Sequence, residues 1–506
     1  MRRGAKPPPL EFVMRTHLPV FAPQRRKRAC FFSLHPRDKA KKFSAYAPKA
    51  MLHFTAKYDI PVVENPADIA GFDVVFFSLH CFRDFYLVAR MAHYKRPGQE
   101  WIAGGNACAT PAPVGWIMDY VWVGDCRDSF GRIIAGERDM EGMYNPRYPE
   151  RPVRYIDEDL HVEQLTPTNL EMSKGCPRRC LFCIHPWRHR YQEQPKEVVV
   201  DYIKSYPKMR LGLISNSSDD VSYYEEVSEL LYSLKKHDMT VSNAVQSYTE
   251  EMAQRRTADM LFGVEGMSER LRWIVNKPIP QGMLREKVDI CLKHQGKVRL
   301  IYQFNLPGET EADFAEFESD VRYWRNRWGA GQVALTFIPN QPSAHTPFQW
   351  VVPRYNLEQH ARLMEMRASL IGSGKRGLGM YLPTPLGARG WFAQVIAEWI
   401  PVTPAVDAAV AKLPQWADVP TMLDALAAKG VKLPPEFLTR DASTVFPWSN
   451  IITTGDDADK WKRFANMQRK LSSPRFLAGP NVTDESSTSE RSTDAPVAPV
   501  ALAATG

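Results

Sequence analysis

Short apolar runs recur along the chain at the spacing of alternating strands and helices. Val74-Val75-Phe76-Phe77-Ser78-Leu79, Trp101-Ile102-Ala103 and Tyr120-Val121-Trp122-Val123 read as buried strands. Gly104-Gly105 follows the second and Gly124-Asp125 the third. This pattern predicts a small doubly wound α/β domain over residues 46–160, whose ligand side lies at the carboxyl ends of the strands. From 161 to 350 strand and helix repeat six times, with strands at 168–173, 210–215, 239–245, 260–264, 297–303 and 332–338. The helix after the second strand places Val227, Leu230, Leu231 and Leu234 on one face, the stripe of a helix packed on a sheet. Six units fall short of the eight of a closed barrel. The fold class expected is therefore α/β, with an open, partial (β/α)6 barrel as its centre.

Residues 351–470 read as a helical region rich in Trp and Pro, with Trp391–Ile400 as a buried helix. From 471 to 506 the composition narrows to Ser, Thr, Pro, Ala and acidic residues. Such a segment buries too little apolar area to offset its ordering entropy, and a disordered tail is expected. Residues 1–45 read as a basic, Pro-rich arm, partly ordered.

A chain of 506 residues is long enough for two or three domains. No apolar run reaches the 18 or more residues of a membrane span, and Met1-Arg2-Arg3 has no apolar segment behind it, so neither membrane nor secretion is expected. The expected location is the cytoplasm, of the host if the chain is viral. The net charge of +8 is uneven: residues 1–42 hold twelve Lys or Arg against Glu11 and Asp38. An arm of this kind can bind DNA or a nucleotide by counterion release, or serve as a solvated leader.

Eight cysteines are present: Cys30, Cys81, Cys108, Cys126, Cys176, Cys180, Cys183 and Cys291. Three of them crowd into eight positions, which points to a metal or redox centre rather than a disulfide framework. The C-x3-C-x2-C loop Cys176-Pro177-Arg178-Arg179-Cys180-Leu181-Phe182-Cys183 follows directly on the first strand of the repeat block. Three thiolates there can hold three irons of a [4Fe–4S] cubane and leave the fourth open to a small molecule. Gly175 and Pro177 suit the tight turn, and Arg178 and Arg179 offset negative charge. Two alternatives stand: a zinc site completed by His185 or His189, or three unligated cysteines.

This triplet, with Phe182 before its last Cys, resembles the signature of the radical S-adenosylmethionine (SAM) superfamily. The resemblance implies that the open iron chelates SAM, and that its reductive cleavage gives a 5′-deoxyadenosyl radical for hydrogen abstraction. Further segments are similar in order: Leu261–Ser268, Asn276-Lys277-Pro278 and Phe304–Thr310. By this likeness Phe182, Glu265, Ser268 and Ile338 contact SAM. Ser215 and Asn216 stand where relatives place a Gly-Gly-Glu for the methionyl amine, and the chain departs from that pattern. Tyr302, Gln303 and Asn305 are expected at the barrel mouth, facing substrate. The external reductant would be of flavodoxin or ferredoxin type.

Phe337–Trp350, Gly104-Gly105, Asp119–Asp125 and Phe446-Pro447-Trp448 resemble members with an N-terminal cobalamin-binding-like domain. The Asp-x-His-x-x-Gly motif of a cobalt-ligating histidine is absent around His53, His80 and His93, so a degenerate domain is expected, with cobalamin an open alternative. Cys81, Cys108 and Cys126 near those strand ends read as buried small hydrophobes rather than a second metal site. The degenerate domain, basic arm and low-complexity tail resemble virus-encoded radical SAM isomerases that rearrange an amino-acid adduct on thymidine during DNA hypermodification. The alternatives are a cobalamin-dependent methyltransferase or methylthiotransferase on RNA or a small molecule, and a non-catalytic, metal-stabilised nucleic-acid-binding protein.

Overall fold

The computed structural model describes residues 27–34, 54–160, 169–205, 212–234, 242–255, 260–329, 332–371, 380–381 and 387–473. Most of the basic arm and the expected tail beyond 473 lie outside the described residues. In the N-terminal half, β1 (Ala29–Phe32), β2 (Val62–Val63), β3 (Val74–Ser78), β4 (Glu100–Gly104), β5 (Tyr120–Trp122) and β6 (Met143–Tyr144) form one sheet. Its order is β2-β1-β3-β4-β5-β6, parallel except for the last pair. This is a doubly wound order, with its switch point between β1 and β3. Alternate residues face opposite sides: Phe31, Val74, Phe76 and Ile102 enter one core, and Phe32, Val75, Phe77 and Ala103 the other.

The boundary of the basic arm is corrected by β1, which lies inside residues 1–45. Four apolar residues between Lys27-Arg28 and the basic run at 37–42 are a weak signal by themselves. A short repeat strengthens it: Phe31-Phe32-Ser33-Leu34 recurs as Phe76-Phe77-Ser78-Leu79. The two copies pair in register, Phe31 with Phe76 and Phe32 with Phe77.

All six strands expected in the second block are present: β8 (Asn169–Glu171), β11 (Gly212–Ile214), β12 (Ser242–Asn243), β13 (Met260–Glu265), β14 (Val298–Phe304) and β15 (Val333–Pro339). A seventh, β16 (Met380–Tyr381), extends the edge. Among the described residues β8 pairs only with β11, and β12 to β16 form a separate parallel sheet. The strands alternate: in β14 Val298, Leu300, Tyr302 and Phe304 are buried while the residues between them are not. The helices used below are α1 (Arg83–Met91), α2 (His185–Arg188), α3 (Tyr224–Ser233), α4 (Glu269–Ile274), α5 (Gln281–Gln295), α6 (Glu311–Trp328), α7 (Gly387–Ile396) and α8 (Asp457–Leu471).

C-terminal elements close the seam between the two sheets. Tyr86 of α1 donates to the Ala393 carbonyl of α7 (2.7 Å), and Arg90 makes a bidentate pair with Asp407 (2.7 and 2.8 Å). Strand β17 (Ile451–Ile452) pairs with β7 (Val153–Arg154) in the connection between the sheets. Trp350, Trp399, Phe446 and Trp448 pack edge to face behind this seam. No helix among the described residues is long and apolar enough to cross a membrane.

Candidate functional site

The cysteine loop leaves β9 (Ser173–Lys174) at Gly175, whose φ is +70°. A Cβ there would stand 2.4 Å from the Arg190 carbonyl oxygen, so only glycine fits. The loop is tied from several sides. Asn216 Nδ2 donates to the Gly175 carbonyl (2.9 Å), Asn276 Nδ2 to Arg179 (2.8 Å) and Trp187 Nε1 to Cys180 (3.2 Å). Arg178 is clamped bidentately by Asp220 (both 2.6 Å) and also reaches Ser247 (2.9 Å). All three thiols are free.

Of the two histidines expected as a fourth zinc ligand, one is already held within the fold. His189 engages Asp157 through Nδ1 (3.0 Å) and Tyr155 through Nε2 (3.2 Å). Burial pushes the Cys180 thiol up to about 11 and Cys183 up to about 12, and Cys176 is raised as well. The buried Lys277 ammonium opposes that rise at all three. A metal that displaces these protons removes the cost of ionising the thiols.

Lys277 joins this loop to the barrel mouth. Its Nζ lies 3.1 Å from Glu265 Oε1, and Gln303 Nε2 donates to Glu265 Oε2 (2.8 Å). Glu265 ends β13 with φ +72°; Asn276, Asn305 and His345 also hold positive φ at turns on this side of the barrel. Left-handed non-glycine residues cost about 1–3 kcal/mol each, and such strain gathers where the fold over-determines a site. Ile338 stands beside Gln303 across β14 and β15 and is 46% exposed, an uncovered apolar side chain at the mouth. The structure therefore brings Glu265, Gln303 and Ile338 together with the cysteine loop. The motif Asn276-Lys277-Pro278 gave Lys277 no role of its own; its spacing of twelve residues from Glu265 was the available signal.

Other expected residues make contacts within the fold. Ser215 bonds Ser173 (2.5 Å) and Asn216 holds Gly175. Ser268 is buried, caps α4 by accepting from Leu271 N (3.2 Å), and donates to Asp313. Phe182 meets Phe348 edge to face. Asn305 accepts from Asn356 N (2.8 Å) at the end of β14. Tyr302 is corrected: adjacent strand residues point to opposite faces, and it packs between Phe317 and Phe337 behind the sheet.

A cavity of about 150 Å³ opens where β1, β3, β4 and β5 end, against Glu171 and Lys174 of the barrel. Phe31, Phe54, Phe76, Trp122 and Phe130 line it, and His80, Asp125 and Arg127 are among its polar residues. That volume admits one aromatic ring system. Asp125, Asp157 and His189 also converge beside it within metal-ligand reach, but the Lys174 ammonium pairs with both carboxylates. At the seam, Arg188 donates to the carbonyls of Asn106 (3.3 Å) and Ala344 (3.4 Å). Buried Glu398 accepts from Ala344 N (3.0 Å) and Gln341 (3.1 Å), and burial raises its carboxyl to about 7. Sequence reasoning missed both residues: Arg188 sits in the basic run His185 to Arg190 with nothing to single it out, and Glu398 is an isolated charge in an apolar stretch.

Residues 170–321 match the family model of the radical SAM superfamily. In sequence the chain is similar to uncharacterized protein MJ0966 of Methanocaldococcus jannaschii, 24% identical over 342 residues, 62% of this chain and 76% of that one. In structure it is similar to TsrM, a radical SAM methyltransferase of Kitasatospora setae solved with cobalamin and a [4Fe–4S] cluster. The identity is 13%, over 88% of this chain and 99% of that chain, with a TM-score of 0.49. It is also similar to OxsB, a cobalamin-dependent SAM radical enzyme, at 9% identity over 70% of this chain and 64% of that chain, with a TM-score of 0.46.

Proposed function

We propose that this chain, whose residues 170–321 form a radical SAM domain, holds a [4Fe–4S] cluster on Cys176, Cys180 and Cys183 and cleaves SAM reductively. When bound, the cluster and SAM supply a 5′-deoxyadenosyl radical that takes a hydrogen atom from substrate. The carrying observation is the buried Lys277–Glu265–Gln303 chain beside the thiols. Lys277 places positive charge where three thiolates gather. Glu265, fixed through both carboxylate oxygens, offers an acceptor to ribose hydroxyls or an ammonium. Ile338 gives an apolar surface for the adenine, and Phe182 with Phe348 shields one side from water. Asn216 is a loop tie in this reading, rather than the amine ligand.

The test is anaerobic reconstitution followed by a SAM-plus-dithionite assay for 5′-deoxyadenosine. The product is expected from the parent and absent from Cys180→Ala. Zinc in place of iron, with no deoxyadenosine, would sink the reading.

A second reading concerns the reaction class. The switch-point cavity facing the barrel favours a corrinoid-assisted methyl transfer over an isomerase. The cavity has room for one aromatic ring system, such as the base of a corrinoid would present. A reconstituted sample that takes up cobalamin, seen in its visible spectrum, supports this transferase reading; no uptake returns the question to the isomerase. For the isomerase, residues 1–26 and 35–42 of the basic arm lie outside the described residues. Its test is a changed nucleoside profile on glycine-substituted thymidine DNA.

A further inference from the structure

The cysteine loop reaches the protein surface at Arg179, whose side chain is 52% exposed. Directly beneath lies Trp187, only 1% exposed, whose indole N–H donates to the Cys180 carbonyl (3.2 Å). Two guanidinium groups lie over that indole, Arg179 from the loop and Arg463 from α8, each 5.6 Å from the ring centroid. Asp459 pairs with both, at 3.2 Å and 3.0 Å, and holds them in place. Helix α8 packs on α4, where Trp273 is 43% exposed one turn from the Asn276 that bonds the Arg179 carbonyl. Of the five Lys or Arg of α8, Lys460 is buried against Asp457, whereas Lys462, Arg469 and Trp273 are exposed.

Packing alone would account for a buried tryptophan. It does not account for two cations gathered over its ring where the cysteine loop meets solvent at Arg179. We infer that the surface of Arg179, Trp273, Lys462 and Arg463 docks an acidic, low-potential one-electron carrier protein, with Trp187 and the Cys180 peptide as its nearest link to the cluster. This inference rests on the cluster assignment made above and adds the place of electron entry. The carrier loses one electron and the cluster gains one, passing from its 2+ to its 1+ state; no bond or proton need move. Charge complementarity selects the partner, since a surface of this sign attracts an acidic carrier and repels a basic one.

The test uses the full, cluster-loaded chain with flavodoxin as probe and a Lys462→Glu/Arg463→Glu variant. Binding is read by biolayer interferometry, and SAM cleavage is driven in parallel by reduced flavodoxin and by dithionite. Two reversed charges at the rim should weaken flavodoxin binding about tenfold at low salt, and the difference should fade near about 0.5 M salt. Flavodoxin-driven cleavage should fall in step while dithionite-driven cleavage stays at the parent's level. Unchanged flavodoxin affinity, or an equal fall in the dithionite arm, would overturn the docking surface. No deoxyadenosine from the parent with dithionite would instead overturn the cluster reading, while the binding arm would still judge the surface.

Discussion

Lys277→Met separates the two halves of the site from each other. In the parent, Lys277 Nζ and Glu265 Oε1 are 3.1 Å apart and both side chains are 13% exposed. Two unit charges at that distance attract by about 5 kcal/mol at an effective dielectric of about 20. Most of this offsets the desolvation of the two groups, but removing one partner leaves the other charge buried and uncompensated, at about 3–5 kcal/mol. The metal-free chain should therefore lose roughly 6–12 °C in the melting of the barrel. Glu265→Gln/Lys277→Met should recover most of the loss, because the orphan carboxylate is gone and Gln303 keeps an acceptor. Lys277 also favours the Cys180 and Cys183 thiolates, so alkylation of those thiols at pH 9 should be slower in the single variant. Calorimetry and timed alkylation read the two effects separately. If Lys277→Met melts with the parent, or the double variant is no better than the single, Lys277 does not compensate Glu265 and the reasoning fails.

Three further outcomes are expected. Gly175→Ala meets the Arg190 carbonyl and a φ of +70°, so it should cost more than about 2 kcal/mol and bind little iron on reconstitution, as iron analysis will show. Glu398, raised to about 7 by burial from an ordinary 4.5, is protonated in the fold where the unfolded chain is ionised; stability thus falls as pH rises from about 4.5 through about 7, by roughly 3 kcal/mol. Glu398→Gln should flatten that part of the melting profile between pH 5 and 8, leaving the same-signed contribution of Glu309, raised to about 8. At the cavity, a Cβ on Gly104 would meet only Trp122 Cβ, at 3.8 Å; Gly104→Leu should fold, fill the space and abolish any cobalamin uptake seen in the visible spectrum.

The barrel was legible because each strand is a period-two apolar run closed by a turn, and all six such runs became strands. Period alone does not say where a curved sheet parts, so the parting of β11 from β12 among the described residues and the added β16 were not foreseen. Strand β1 was hidden by its basic flanks, although the repeated Phe-Phe-Ser-Leu marked it. The cysteine triplet was readable because its ligands are local. Glu265 and Ile338 were readable only through resemblance; Gln303 and Tyr302 were placed at the mouth by an assumed strand register, and strand alternation turns Tyr302 into the core. Arg188 and Glu398 come from segments over 200 residues apart and acquire meaning only when the seam closes.

The central claim is that Cys176, Cys180 and Cys183 hold a four-iron cluster with one iron open to SAM. Electron paramagnetic resonance of the dithionite-reduced, reconstituted chain, recorded with and without SAM, tests it directly. The account predicts a cluster signal that changes shape when SAM is added and that is missing from Cys180→Ala. A signal indifferent to SAM, or one that survives the loss of Cys180, would contradict it.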